Sequence, residues 1–461
     1  MKNGSYTETD LLPRLDRLPW SRWHWKVWII LAGGMFLEGL VLSLGGSTLG
    51  TVEKLFNLTK TEAVALTPAF LVGEMVGGVV LGSLADIHGR KLLFIVTMAI
   101  IAFGSLLSAA SVDYGMLLAS RIIAGFGIGG ELGSAIAAME EFSPVRVRGT
   151  SVGTGNGVMF DFGTFVAGFI GYFAISYLPT SYGWRIAFVS AVILAVLIFI
   201  ARLDLPESIR YLLRRGKTKE AEKVIDHIEN EIRKSGKTIK PETKKIRIET
   251  DTGKIKAGQG FSIMFKKYKK RIVLSWILNI TETWPYYAAF SVFPLIFVDI
   301  YHIKSADVGL ILAYVLGAGV LGVLFWSYML DKIGRKPVIT LTYIIAGIVS
   351  LILGVYVHIF TFAIFIGVLA IMYFFTYAAA ALLYPQIGEM FPTEARGSGL
   401  GAAIGFGRIG GIIGPFILLA LLPSLYLVFA VTGIVLMIGG ISEIVLGPEL
   451  KGKSLEIASE R

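Results

Sequence analysis

Residues 82–91 read GSLADIHGRK and residues 327–336 read SYMLDKIGRK. Asp86, Gly89, Arg90 and Lys91 of the first stretch return as Asp331, Gly334, Arg335 and Lys336 of the second, all 245 positions apart. A second pair follows in the same order. EEFSPVRVRG at 140–149 and GEMFPTEARG at 388–397 share Glu141/Glu389, Pro144/Pro392, Arg148/Arg396 and Gly149/Gly397, all 248 apart. Two elements repeated in one order at nearly one spacing mark an internal duplication, which sets the fold before any helix is assigned.

The sequence around these motifs is apolar. Of 461 residues, 54% are hydrophobic and only 16% are charged, against roughly 25% charged in soluble domains. A bilayer-spanning helix needs about 20 apolar residues. Runs of that kind predict helices near 25–50, 65–85, 91–111, 114–141, 150–175 and 183–204, then 271–299, 306–329, 336–357, 360–390, 397–421 and 424–447. The predicted fold is an all-α membrane protein. Twelve transmembrane helices form two pseudo-symmetric six-helix bundles, 25–204 and 271–447, joined by a helical insert at 205–270 and flanked by tails at 1–24 and 448–461. Parallel six-helix repeats with a binding site between them are a transporter architecture.

Charge predicts the orientation. The net charge of +10 is not spread evenly, and 21 of the 43 Lys and Arg lie between Arg202 and Arg271. A basic block between two apolar halves is what the positive-inside rule produces, so no nucleic-acid partner is expected. Lys2 through Lys26, Arg90, Lys91, Arg146, Arg148, the insert, Lys332, Arg335, Lys336 and Arg396 fall on one side, and only Lys54, Lys60 and Lys304 on the other. The expectation is a multi-pass plasma-membrane protein with both termini, the insert and the tails cytoplasmic. Residues 1–24 lack the apolar core of a cleavable signal peptide, so the first span is expected to remain as an anchor. Within the insert, residues 207–235 carry Ile209, Leu212, Leu213, Val224, Ile225, Ile228 and Ile232 at helical spacing. They predict short amphipathic helices lying at the cytoplasmic face, and 236–260 predicts a loop.

Several chemistries are excluded. Cysteine is absent, and the five histidines lack paired spacing, so no disulfide, thiolate or metal site is predicted. GFGIGG at 125–130 lies inside an apolar helix rather than after a strand. It therefore signals close helix packing, not a nucleotide. No cofactor motif and no nucleophile–base pair stand in the chain, and an enzyme is not expected.

Here a resemblance can be named. The DxxGRK loops after the second and eighth spans resemble the best-known signature of major facilitator superfamily transporters. RIIAGFGIGG (121–130), the ExxxxxxRG ends of the fourth and tenth spans, and PESIRYLL (206–213) resemble its sugar-porter and organic-ion branches. GRIGGIIGP (407–415) is similar to the aromatic-acid–proton symporters and organic anion transporters. The resemblance implies two bundles rocking about a central cavity. Asp86, Arg90, Glu141 and Arg148, with Asp331, Arg335, Glu389 and Arg396, sit at inner helix ends and are predicted to latch the cytoplasmic face. The plainer alternative is that they only anchor topology.

Ionisable residues inside spans are functional by default. Glu38, Glu74, Arg121, Glu131, Asp161, Glu282 and Arg408 are the candidates. The resemblance implies Glu38 as proton carrier with Arg121 as its partner, although Glu stands in FLEG where those families place Asp. Glu131 is a second proton candidate, with helix packing as its alternative. Arg408 maps through the repeat onto Phe160, beside Asp161, so the halves carry opposite charges at near-equivalent points. A guanidinium in a cavity attracts a carboxylate, and the resemblance associates an arginine here with anion selectivity. An internal pair of Arg408 with Asp161 or Glu282 is the alternative. LNITETWPYYAAF (278–290) lacks the QQ pair of sugar porters. It offers Asn279, Glu282, Trp284, Tyr286 and Tyr287 instead, with Pro285 expected to break or kink the helix. Tyr377, with Tyr373 and Tyr384, shares a helix face and is predicted to line the cavity.

The predicted function is secondary active transport, proton-coupled symport of a small organic anion, a carboxylate, by alternating access. The alternatives are a sugar–proton symporter, then a phosphate symporter or a nutrient sensor. The partners expected are a small-molecule substrate, protons and the lipid bilayer, and the chain is expected to work as a monomer without cofactors.

Overall fold

The computed structural model describes residues 5–241, 245–250, 259–291, 293, 296–302 and 305–452. The first half holds α2 (Arg22–Leu55), α3 (Lys60–His88), α4 (Arg90–Ala110), α5 (Tyr114–Phe142), α6 (Arg148–Tyr177) and α7 (Thr180–Arg202). After the short α10 (Gln259–Lys267), the second holds α11 (Lys269–Ser291), α12 (Ser305–Ile333), α13 (Arg335–Tyr356), α14 (Phe362–Met390), α15 (Thr393–Ala420) and α16 (Leu425–Leu446). Ten of these twelve helices are long and apolar enough to cross a membrane, among the described residues. Of the other two, α6 and α11, the second carries Asn279 and Glu282, which dilute its apolar run. Outward faces are apolar. Phe162, Phe165, Phe169 and Phe173 form a half-exposed stripe on α6, as suits a surface whose solvent is lipid.

The halves meet pseudo-symmetrically. α3 packs on α15, and the equivalent α12 packs on α6. Gly78 and Gly401 face each other at the α3–α15 crossing, where a Cβ on either would strike the other's carbonyl oxygen. Small residues bring the backbones close enough to bury what lies deeper on both helices. Helix α11 does not end at Pro285. It runs on to Ser291, and the Tyr373 hydroxyl donates to the Pro285 carbonyl at 2.8 Å.

The expectation for the fold of the insert needs correction in two places. The amphipathic helices α8 (Ile209–Arg214) and α9 (Thr218–Lys234) exist, but their apolar face is covered by the N-terminal segment. Leu11, Leu12, Leu15 and Leu18, on and after α1 (Leu11–Asp16), pack against Ile209, Leu212, Leu213, Ala221, Ile225, Ile228 and Ile232. Burying apolar side chains in one cluster is the stronger outcome once a partner surface is within reach. The stretch 236–260, expected as a loop, contributes β2 (Ile246–Thr250), which pairs antiparallel with β1 (Ser5–Thr9). Residues 242–244 and 251–258 of that stretch lie outside the described residues. Tail and insert thus form one small unit on one face of the bundle, termed here the insert face.

Candidate functional site

Buried charges from three helices converge on Arg408. This arginine sits midway along α15, 6% exposed, and reaches from the second half into the first. Its Nη2 donates to Glu38 Oε1 of α2 at 3.0 Å, and its Nε donates to Glu74 Oε1 of α3 at 2.6 Å, with a further Nη2–Glu74 contact. Glu38 and Glu74 are buried. Two carboxylates therefore share one guanidinium where no bulk water screens them, the setting in which each charge matters most.

A cavity opens beside this cluster, with about 460 Å3 of empty space, solvent at its mouth included. Glu38, Asn156, Phe160, Asp161, Glu282, Tyr286, Tyr287, Tyr377, Tyr384 and Arg408 line it. Arg408 lies over the Tyr287 ring at 5.8 Å. The Tyr286 ring stacks on Tyr377 with centroids 4.8 Å apart and meets Tyr287 edge-on at 5.3 Å. Aromatic walls with a few convergent polar groups are the usual make-up of a small-molecule site.

The structure brings together Glu38, Asp161, Glu282, Tyr286, Tyr287, Tyr377 and Arg408, and it corrects four expectations. Arg121 does not pair with Glu38. Its Nη1 donates to the Val41 carbonyl at 2.9 Å, one turn further along α2, and its guanidinium lies over Phe70 at 4.6 Å. Arg408 is not a lone cation: the internal pairing given as its alternative is present, but with Glu38 and Glu74 instead of Asp161 or Glu282. Glu131 faces away from the cavity into the first bundle, where Arg202 lies 2.5 Å away and Thr97 donates to it at 2.7 Å. Its neighbour Leu132 lines the cavity, as an offset of about 100° per helical residue requires. Asn279 and Trp284 stand behind the cavity wall: Asn279 donates to the Ser275 carbonyl at 2.9 Å and packs on Gly407, and Trp284 packs near Gly414. Glu74 was visible as an intramembrane acid but had no partner in view, because its partner is 334 residues away.

The insert face is closed by contacts between the halves. Arg396 of α15 donates to Glu141 of α5 at 3.0 Å, and Arg90 approaches the same Glu141 oxygen at 3.5 Å. Asp331 at the end of α12 accepts from the Gly149 and Thr150 backbone amides at 3.1 and 2.7 Å, and from Arg335 at 3.0 Å. Arg335 also grips Glu389 through two bonds of 3.0 and 2.9 Å. Arg148 turns to Asp16 of the tail segment at 3.0 Å rather than across to the second half. The Asp86 side chain lies outside the described residues.

The duplication extends further than the two motifs. Glu207 accepts from the Arg90 and Lys91 amides at 3.0 and 3.3 Å, and Glu449 accepts from the Arg335 and Lys336 amides at 3.1 and 3.3 Å. Each caps the start of its half's third helix, where the exposed N–H groups favour an anion. The preceding Gly89 and Gly334 adopt φ of 90° and 115°, and a side chain at either would strike the capping glutamate. Pro206-Glu207 and Pro448-Glu449 are thus a third repeated element, too short to stand out in sequence.

A twelve-helix duplicated bundle with a charged, aromatic cavity between its halves is the form of a secondary transporter. A family model described as "Sugar (and other) transporter" matches residues 29–461, and the chain belongs to that family, within the major facilitator superfamily. It is 27% identical to the niacin transporter NiaP of Acinetobacter baylyi, over 97% of this chain and 99% of that one. It is 26% identical to the 4-hydroxybenzoate transporter PcaK of the same organism, over 88% and 87%. Among solved structures, the proton:xylose symporter XylE bound to 6-bromo-6-deoxy-D-glucose superposes with a TM-score of 0.74 at 20% identity, covering 95% of this chain and 99% of that one. The partially occluded inward-open form of XylE from E. coli superposes at 0.66, with 19% identity, covering 94% and 100%. The protein is a multi-pass membrane transporter of small molecules and not an enzyme.

Proposed function

We propose that the protein is a proton-coupled symporter that carries a small organic anion, a ring-bearing carboxylate, by alternating access. The observation that carries this reading is the sharing of Arg408 between Glu38 and Glu74 at the rim of the cavity. A guanidinium already held by two carboxylates has little to offer a third. Protonating Glu38 and Glu74 removes their hold and exposes a cation facing an aromatic cavity. A substrate carboxylate then takes their place, bidentate on the fork of Arg408. Proton and anion binding are linked because both act on one guanidinium. Once the substrate leaves, the two acids recapture Arg408 and release their protons.

The relatives that carry niacin and 4-hydroxybenzoate support the choice of an aromatic acid. The tyrosine-lined cavity supports it independently. We place the insert face in the cytoplasm, because the basic residues concentrate there, and the protein in the plasma membrane as a monomer. The cavity opens to the cytoplasm when Arg396–Glu141 and the Asp331 contacts with Gly149 and Thr150 separate. Glu131, bound to Arg202, is assigned to packing.

The test is uptake of radiolabelled benzoate and nicotinate into proteoliposomes with an acidic exterior. Uptake should exceed that at equal pH, and Arg408→Ala should lower it by about a hundredfold, the loss for about 3 kcal/mol. Hexose uptake that survives Arg408→Ala would favour the sugar–proton alternative, in which Arg408 is only a structural tie between the halves.

A further inference from the structure

Two acids of the cavity take no part in the Arg408 cluster. Asp161 on α6 and Glu282 on α11 both line the cavity, and each has one carboxylate oxygen shielded from solvent without a hydrogen-bond partner. Their settings differ. Glu282, 4% exposed, lies within the field of Arg408. Asp161 lines the cavity with Tyr286 and Tyr377, and among the described residues no cation is paired with it. A carboxyl oxygen shielded from water without a partner is costly until something answers it.

Arg408 lies over Tyr287, Tyr287 meets Tyr286, and Tyr286 stacks on Tyr377, with successive ring centroids 5.3 and 4.8 Å apart. A cation thus stands at one end of a run of three rings, and Asp161, with one unpartnered carboxyl oxygen, lines the same cavity. The duplication explains the arrangement, because Arg408 and Asp161 fall at near-equivalent points of the two halves. A plain anion docked on Arg408 would leave the shielded Asp161 oxygen unsatisfied.

We infer that the carried acid bears a second group, a hydrogen-bond donor such as a hydroxyl or a protonated ring nitrogen set across the ring from its carboxylate, and that Asp161 receives it. The inference rests on the proposed docking of the carboxylate at Arg408. Asp161 is then the residue that sets specificity, since a site built to bond a donor discriminates strongly against the analogue that lacks it.

The experiment is ligand-induced thermal shift on the full-length purified protein with benzoate, the hydroxybenzoates and the matching methoxybenzoates, in which the donor is blocked. At least one hydroxybenzoate should bind about tenfold more tightly than its methoxy counterpart, the worth of one charge-assisted bond. Asp161→Leu, close in shape, should reduce that ratio to below about threefold, and Asp161→Asn, which keeps an acceptor but no charge, should give an intermediate ratio. Equal binding of hydroxy and methoxy partners by the native protein, or a ratio that survives Asp161→Leu, overturns the assignment of Asp161 and leaves the anion reading standing. If no carboxylate binds in a manner that Arg408→Ala abolishes, both readings fall.

Discussion

At the cavity one arginine faces two glutamates; at the insert face one glutamate faces two arginines. Arg408 is shared by Glu38 and Glu74, whereas Glu141 is shared by Arg396 and Arg90. Both crossing arginines belong to α15, twelve residues apart, or about 18 Å along its axis. One helix of the second half therefore grips the first half at two depths, and at the insert face Arg396 also lies 3.9 Å from Glu140. In the proposed mechanism the grip at the cavity is the one that protons loosen. Proton binding and face opening are, on that reading, separate events joined mechanically through α15.

The largest expected effect comes from removing the acid excess at the cavity. Glu38→Gln with Glu74→Gln should abolish accumulation against a gradient while leaving downhill exchange in counterflow assays, because Arg408 is then permanently free. Accumulation that persists in the double variant would break the comparison at its upper level. Next is the lower grip. The chain has no cysteine, so Ser327→Cys, buried at the interface beside Gly153, gives a single labelling site. Adding Arg396→Ala should raise its reaction with a maleimide by about tenfold, the effect of about 1.4 kcal/mol on the closed face. Unchanged labelling would mean that the Asp331 contacts alone hold that face.

A third change sharpens the contrast between coupling and packing. Glu131→Gln should lower the melting temperature, since removing one partner of a buried ion pair costs about 3–5 kcal/mol. Its pH-driven accumulation per folded molecule should stay normal. The smallest effect concerns the tail. Burial pushes the Glu229 carboxyl up, but hydrogen bonds from Arg14 and Arg17 outweigh it and hold the group below the usual carboxylate range. The stabilisation it gives the tail–insert unit is complete above the unfolded value, about 4.3, and is lost as the pH falls through the lowered folded value. The hydrogen-exchange protection factors of residues 11–18, taken relative to the intrinsic rate at each pH, should fall on that descent, and Glu229→Gln should flatten the dependence.

The duplication, the helices and the charged insert-face motifs were legible because each is a local pattern, carried by apolar runs or by a handful of adjacent residues. The convergence on Arg408 was not. Spacing along α2 places Glu38 and Val41 one turn apart but does not say which of them Arg121 meets. That choice depends on the rotation of α5 and on where α3 inserts Glu74, both set by packing among helices distant in sequence. The docking of the tail was hidden for a similar reason. Leu11, Leu12, Leu15 and Leu18 form too short a pattern to announce a partner, and the partner lies about 200 residues downstream. What sequence did show at the cavity, opposite charges at Arg408 and Asp161, followed from the repeat rather than from either residue alone.

The capping glutamates bear on how the chain is built. Helices α4 and α13 are each third in their half, yet the residue that satisfies their first amides, Glu207 or Glu449, comes after the sixth helix. Each bundle is therefore closed only when its last span has left the ribosome and its end has folded back across the face. For the first half that moment arrives with the insert still to be made. For the second it arrives within the last few residues of α16's exit, so a chain cut before Glu449 would carry all twelve spans and still lack the clasp of its second half.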